Sequence, residues 1–170
     1  MIIKDYYDLL NSEFENEIAN SDDPKFNEFK QDNQKKSYAL LIWFLKFYGQ
    51  AISVKEFITD GDGDSSCDII FSKTDAYDKK IFYVVQSKWN NKNNCESMFS
   101  ASDLKYTLND FETILRGDKK DTTNKKFNQK YHELLKHLES NGEVKFIFLS
   151  LCLSNPSCED NIQSFARTRA

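Results

Sequence analysis

Proline and glycine are scarce in this sequence, which has two and five of them among its 170 residues. No segment is therefore rich enough in either residue to act as a linker, and no repeat is visible. A chain of this length is typical of one domain. With 39% apolar and 14% aromatic residues, the chain is also too hydrophobic to be disordered. We therefore expect a single folded domain over 1–170.

Long apolar runs and an export signal are also missing. The longest apolar run, Ala39 to Leu45, ends at Lys46 and is far shorter than a membrane span. The first residues, MIIKDYYDLL, lack the basic start and apolar stretch of a secretory signal. The four cysteines form neither a CxxC pair nor a zinc-binding Cys/His pattern, and are expected to be reduced. These absences predict a cytoplasmic protein without membrane contact.

Positive charge is not in excess, since 23 Lys and Arg face 27 Asp and Glu, for a formal net charge of −4. This excludes a generally basic surface for nucleic acid but allows a local basic groove. The two histidines, His132 and His137, lie five positions apart on a predicted helix, which does not suit metal ligands. The basic residues available for a groove are Lys88, Lys92, Lys105, Arg116, Lys119, Lys120, Lys125, Lys126 and Lys130.

The spacing of apolar residues changes along the chain from helical to strand-like. Continuous apolar runs predict buried strands in CDIIF, IFYVVQSKW and VKFIFLSLCL. The resulting order α, α, β, β, α, α, β predicts an α/β class with a small mixed sheet flanked by helices. Helical spacing predicts four helices, over 4–19, 23–48 with a break allowed in QDNQKK, 101–116 and 127–138.

Polar side chains stand where two predicted strands would otherwise continue with apolar residues. Asp68 begins one strand, and Gln86 and Lys88 end the next. Because side chains alternate across a strand, Gln86 and Lys88 point to one face and Ser87 to the other. In a regular antiparallel hairpin centred on Tyr77, Asp68 and Gln86 face each other. The spacing therefore predicts that both side chains lie within reach of one metal ion.

These groups match the needs of phosphodiester hydrolysis. Asp68 would hold a divalent cation, Mg²⁺ or Mn²⁺, at the phosphate. Gln86 and the carbonyl group of Ser87 would add oxygen ligands. Lys88 would steady the attacking hydroxide and the developing negative charge. The predicted mechanism is in-line attack by water that is activated beside the cation and held near Lys88.

Gln86 supplies a neutral oxygen where a carboxylate is expected, so a nearby acid would have to compensate. The turn ITDGDGDSSC offers Asp60, Asp62 and Asp64. Asp64, four residues before Asp68, is the preferred additional metal ligand. The turn does not match an EF-hand calcium loop, because it lacks the required glycine and the bidentate Glu at the twelfth position.

The run ITDGDGDSSCDIIF followed by YVVQSKW resembles the N-terminal domain of abortive infection phage resistance (AIPR) proteins. It is similar also to Mrr-like restriction nucleases, which accept Gln at this position. The resemblance spans Ala39 to Trp89 and implies a restriction-endonuclease-like, PD-(D/E)XK fold. Carried over, it implies Asp68 and Gln86 as metal ligands and Lys88 as catalytic lysine, in a nuclease of antiphage defence.

The sequence departs from this family in two ways. Such nucleases often take a further Glu from the helix before the sheet, but 37–48 contains no acid, which leaves Glu13, Glu17 or Glu28 as candidates. AIPR proteins are also much longer than this chain. We therefore expect either an N-terminal fragment of a longer protein or a nuclease domain that stands alone.

The expected function is thus metal-dependent cleavage of nucleic acid, with DNA favoured over RNA. A different reading is a catalytically weakened domain of the same fold that binds nucleic acid or protein, which the neutral Gln86 and the acidic net charge favour. A third is an oligomerisation domain of a larger defence protein, which would form a homo-oligomer.

Overall fold

The structure is a computed structural model that describes residues 3–51, 53–153 and 155–167. It confirms the predicted class, since a small mixed sheet is flanked by helices. None of the described helices is long and apolar enough to cross a membrane. The elements in chain order are α1 (Ile3–Asn20), α2 (Lys25–Glu28), α3 (Asp32–Phe47), β1 (Ile69–Thr74), β2 (Lys80–Lys88), α4 (Ala101–Leu115), α5 (Lys125–Glu139), β3 (Glu143–Ser150) and α6 (Pro156–Arg167).

The three strands form one sheet in the order β1-β2-β3, with β2 in the centre. Strands β1 and β2 are antiparallel, whereas β2 and β3 are parallel. Ile69 pairs with Val85, so the next pair outward is Asp68 with Gln86. This register is the one that a hairpin centred on Tyr77 predicts, because no bulge interrupts the ladder.

A short segment before the acidic turn adds to the outer edge of β1. Ile58 forms an antiparallel bridge with Ile69. The backbone N–H groups of Thr59 and Asp60 both donate to the carbonyl oxygen of Asp68, at 2.8 and 3.1 Å. The chain therefore leaves this edge, turns through 60–66 and returns as β1, which brings Asp60 beside Asp68.

Helices cover both faces of the sheet, which explains why its strands are continuous apolar runs. One core cluster joins α1 and α3 to the first face, where β1 and β2 contribute Ile69, Phe71, Ile81, Tyr83 and Val85. A second cluster joins α4 and α5 to the opposite face, where the strands contribute Ile70, Phe82 and Val84.

The structure divides one predicted helix, close to the stretch where the sequence allowed a break, and adds a helix that was not predicted. The predicted helix 23–48 is divided into α2 and α3, because Phe29 is extended and Gln31 caps α3 with a reciprocal bond to Gln34. Helix α6 was not predicted. Its signal is present, since Asn155 precedes a proline and its side chain accepts a hydrogen bond of 3.0 Å from the N–H of Cys158.

Candidate functional site

Asp68 is a buried carboxylate that is anchored through one of its oxygens. It lies immediately before β1 and is 6% exposed. Its Oδ2 accepts hydrogen bonds from the N–H of Ser87 at 2.6 Å, the hydroxyl of Ser87 at 2.8 Å and the carboxamide of Gln86 at 3.0 Å. Its Oδ1 accepts none from the described residues. The predicted proximity of Asp68 and Gln86 is confirmed.

Ser87 contributes more to this contact than the sequence suggested. Strand alternation predicted that its side chain points away from Gln86, yet both its hydroxyl and its N–H bind Asp68. The physical reason is that Asp68 lies just outside the ladder, where its carboxylate can reach around the end of the β1–β2 pair. The carbonyl of Ser87 accepts a hydrogen bond of 3.0 Å from Gln86.

Three acidic side chains converge at this end of the sheet. One carboxylate oxygen each of Asp60, Asp64 and Asp68 lies within 4.8 Å of the others, and we call this group the acidic cluster. Asp60 was one of three candidates in the turn, and the pairing of its segment with β1 brings it in. None of the three forms a salt bridge with the described Lys, Arg and His residues. The cluster therefore brings three acids together with no cationic side chain of the described part of the chain in direct contact.

Burial perturbs the titration of the whole acidic cluster. Burial raises the pKa of Asp68 to about 7, against the opposing effect of the Ser87 N–H, and Asp60 and Asp64 add repulsion. The pKa of Asp60 is raised by burial and then by the charge of Asp64. The pKa of Asp64 is likewise raised, chiefly by burial. Clustered acids that resist ionisation are typical of sites that gain from a cation.

The turn 60–66 holds Asp64 in place through an unusual backbone. Ser65 and Ser66 both have left-handed φ angles, 59° and 60°, and Gly63 has a φ of 81°. Left-handed non-glycine residues are sparsely populated and persist only where the surroundings enforce them. The carboxylate of Asp64 enforces this backbone, because it accepts hydrogen bonds from the N–H groups of Gly61 and Ser66, each at 3.1 Å. The turn is thus shaped around one acid of the cluster.

The loop before α5 fastens this turn to the rest of the protein. The Asn124 carboxamide donates to the carbonyl oxygen of Thr59 at 2.6 Å, and the Thr122 hydroxyl donates to that of Gly63 at 2.8 Å. A Cβ atom at Gly63 would lie 2.9 Å from the Thr122 hydroxyl, so a side chain there would also crowd this contact. Sequence reasoning did not identify Asn124 or Thr122, because no local pattern links them to a turn so distant in the chain.

Lys88 lines the cleft of Asp68, but its ammonium group has a partner elsewhere. Lys88 Nζ lies 2.9 Å from Asp103 Oδ2, in the first turn of α4, and 5.4 Å from the centroid of the Phe99 ring. The salt bridge is about half exposed, so its contribution to stability is small. The predicted catalytic lysine is therefore at the site, with its charge shared with Asp103.

The cleft in front of Asp68 has a volume of about 230 Å³. Helix α3 contributes Ser37 and Leu41 to it and no carboxylate, in keeping with the absence of acids in 37–48. The buried indole of Trp89, whose Nε1 has no hydrogen-bond partner among the described residues, also lines it. The full lining is Ser37, Leu41, Asp60, Asp68, Gln86, Ser87, Lys88 and Trp89.

The three glutamates considered as further ligands lie elsewhere. Glu13 and Glu17 line a different cleft together with Lys46, and Glu17 pairs with Lys46 at 2.6 Å. Glu28 pairs with Lys25 at 3.0 Å within α2. Asp60 is the acid that the fold adds to Asp64 and Asp68.

Most of the basic residues considered for a groove are already paired with acids. Within the described residues, Lys105, Lys120, Lys125 and Lys126 form no salt bridge, and Lys126 Nζ donates to the carbonyl oxygen of Lys55 at 3.0 Å. Those that pair with an acid are Lys88, Lys92, Arg116, Lys119 and Lys130.

Comparison of the chain with protein-family models, curated proteins and solved structures found no match. The resemblance to AIPR proteins thus remains an expectation from the sequence, and the function is inferred from the geometry of the site.

Proposed function

We propose that this protein is a divalent-metal-dependent nuclease that hydrolyses phosphodiester bonds in nucleic acid. The observation that carries the proposal is the convergence of Asp60, Asp64 and Asp68 within 4.8 Å of one another. They meet at the end of the central strand, where Gln86 and Lys88 also lie. A site for a cation next to a lysine is the arrangement that phosphodiester hydrolysis requires.

The available ligand atoms fit Mg²⁺ or Mn²⁺. All of them are oxygens, from the carboxylates of the acidic cluster, the carbonyl of Ser87 and the carboxamide of Gln86, and hard cations prefer oxygen ligands. Two ligands lack hydrogen-bond donors among the described residues, namely Asp68 Oδ1 and the carboxylate of Asp60. A bound cation would supply Lewis acidity toward the phosphate and lower the pKa of a water ligand.

The residues of the chain divide the remaining tasks. Asp68, tied to Ser87 through Oδ2, holds its other oxygen in a fixed direction. Lys88 would exchange its contact with Asp103 for the negative charge of the phosphodiester, since charge-assisted bonds to phosphate oxygens are strong. The strained turn keeps Asp64 oriented before any ligand arrives, which limits the entropy lost on binding.

The sequence alone supports three further parts of this proposal. They are DNA as the favoured substrate, a role in antiphage defence and a cytoplasmic location.

The test is cleavage of plasmid DNA and of single-stranded RNA with Mg²⁺, Mn²⁺ or EDTA. We expect cutting that requires metal and that falls about 10²-fold or more in Lys88→Ala and in Asp68→Asn. Lys136→Ala is the matched control, because Lys136 is exposed at the far end of α5 and makes no salt bridge within the described residues. Absence of cutting, or equal cutting by wild type and Lys88→Ala, would reject the nuclease.

A second candidate is a module of the same fold that binds nucleic acid without cutting it. The salt bridge of Lys88 with Asp103 at 2.9 Å favours it, because it draws the ammonium group of Lys88 toward α4 and away from the acidic cluster. This candidate predicts that fluorescence anisotropy detects binding of labelled DNA or RNA in EDTA, and that no variant of the acidic cluster alters the affinity by much.

A further inference from the structure

The carboxamide of Gln86 bridges two oxygens that belong to different parts of the site. Its Nε2 lies 3.0 Å from Asp68 Oδ2 and 3.0 Å from the carbonyl oxygen of Ser87. A carboxamide NH₂ group carries two hydrogens, so each oxygen can receive one. With the carboxamide reversed and Asp68 ionised, three oxygens would meet without a proton between them, and both hydrogen bonds would be lost. These two hydrogen bonds therefore require the nitrogen of Gln86 to face this pair of oxygens.

A cation that takes Gln86 as a ligand requires the opposite. Asp68 and the Ser87 carbonyl are ligands that the paired strands offer, and Gln86 can join them only through its oxygen, because a carboxamide nitrogen is a donor and does not bind hard cations. The terminal torsion of Gln is broad and roughly two-fold, so half a turn exchanges nitrogen for oxygen with little other movement. The two states of the site thus need opposite orientations of one carboxamide.

We propose that Gln86 is a positioning residue that sets the cation affinity of the site by this rotation. When no cation is bound, its NH₂ group donates to Asp68 Oδ2 and to the carbonyl oxygen of Ser87. When a cation binds, the group turns and supplies its oxygen instead. This inference rests on the proposed function and concerns only how the site is held and loaded.

The rotation also accounts for Gln where a carboxylate is expected. A glutamate at 86 could not donate to Asp68 Oδ2 or to the Ser87 carbonyl, and would add a fourth acid to the acidic cluster. The metal-free site would then lose two hydrogen bonds and gain repulsion. Gln86 stabilises the site when no cation is bound. The same two hydrogen bonds compete with a cation and lower its apparent affinity.

The test follows the side-chain NH₂ signals of Gln86 by NMR in the ¹⁵N-labelled chain during titration with Mg²⁺. We expect slow exchange of these hydrogens with water in the metal-free protein, and exchange that is roughly 5-fold faster for each hydrogen bond lost when Mg²⁺ saturates the site. Gln129 is the internal control, because its carboxamide donates to Glu133 at 3.3 Å on the exposed face of α5 and should not respond.

The outcomes separate this inference from the proposed function. If Mg²⁺ moves the backbone signals of Asp60 and Asp68 while the Gln86 NH₂ signals stay as they are, the cation binds without rotation and the inference is wrong. If Mg²⁺ changes none of these signals, the metal site itself is wrong, and the inference with it. The wild-type chain suffices for this experiment, so failure of a variant to fold cannot obscure the result.

A variant gives an independent measurement. In Gln86→Glu the competing donor is gone and a charge is added, so we expect Mn²⁺, followed by water proton relaxation, to bind about 10-fold more tightly or better. We also expect this variant to unfold at a lower temperature than wild type in EDTA, since the two hydrogen bonds are missing. A variant as stable as wild type in EDTA would contradict the proposed role of the NH₂ group.

Discussion

At the scale of single residues, Asp68 combines burial with hydrogen bonds that, among the described residues, reach one of its two oxygens. The donors on Oδ2 favour the ionised form, but burial and the neighbouring acids outweigh them, and the pKa rises to about 7. The carboxylate therefore has a fixed position and an energetic cost of ionisation. Both properties suit a ligand that is stabilised when a cation arrives.

This pKa predicts how the stability of the metal-free protein depends on pH. Asp68 titrates at about 7 in the fold and near 3.8 when unperturbed, so the fold favours the protonated form. Its contribution to stability is complete below the lower value and is lost as pH rises toward the upper one, at about 1.4 kcal/mol per pH unit at most. In urea unfolding with EDTA, we expect a steeper loss between these pH values for wild type than for Asp68→Asn. Parallel curves for the two proteins would show that Asp68 ionises freely.

At the scale of elements, the site depends on contacts between segments that are distant in sequence. Asn124 caps α5, because its Oδ1 accepts a hydrogen bond of 3.0 Å from the N–H of Phe127. Its Nδ2 donates to the carbonyl oxygen of Thr59 at 2.6 Å. One side chain thus joins the start of α5 to the segment that carries Asp60. The cap stabilises α5, whereas the contact with Thr59 holds the turn that carries the acidic residues.

A pair of variants separates these two roles. Asn124→Ser can still cap α5 but is too short to donate to Thr59, whereas Asn124→Ala loses both interactions. We expect Asn124→Ala to unfold with about 1 kcal/mol less free energy than Asn124→Ser, by urea denaturation. Both variants should bind Mn²⁺ more weakly than wild type, because the acidic turn loses the same contact. If only the alanine variant lost affinity, the cap and not the Thr59 contact would order the turn.

At the scale of the whole molecule, two cores hold the sheet from opposite sides. Cys67, the neighbour of Asp68, belongs to the core cluster formed with α4 and α5, and Ile69, on its other side, belongs to the cluster formed with α1 and α3. Asp68 is therefore positioned between residues that are each fully buried. Because interiors are tightly filled, this arrangement leaves the carboxylate little freedom.

Burial in the second core cluster predicts how strongly a substitution lowers the free energy of unfolding. Leu134 of α5 is 0% exposed, and Leu134→Ala should cost about 2–5 kcal/mol in the free energy of unfolding. Leu9 of α1 is 61% exposed, and Leu9→Ala should stay within about 0.5 kcal/mol of wild type. Chemical denaturation measures both. Similar losses in the two variants would mean that α5 does not anchor the sheet as described.

Local patterns were sufficient for much of the fold. Apolar spacing identified α1, α3, α4 and α5 and all three strands, because each of these buries one stripe or both faces, and burial leaves a periodic signal. Helix α6 was missed although a proline marks its start, because little of it is buried and it is held by its contact with α4. The break between α2 and α3 fell close to the polar stretch that allowed for it.

For the site, the sequence by itself determined that Asp68 and Gln86 are neighbours, since alternation and a hairpin without a bulge leave one register. Only the tertiary structure decided which acids join them. Asp60 enters the cluster through the bridge of Ile58 to Ile69, and Glu13, Glu17 and Glu28 lie elsewhere. Tertiary structure also decided that Lys88 meets Asp103. Such contacts arise where separate elements meet, and neither periodicity nor spacing within one element records them.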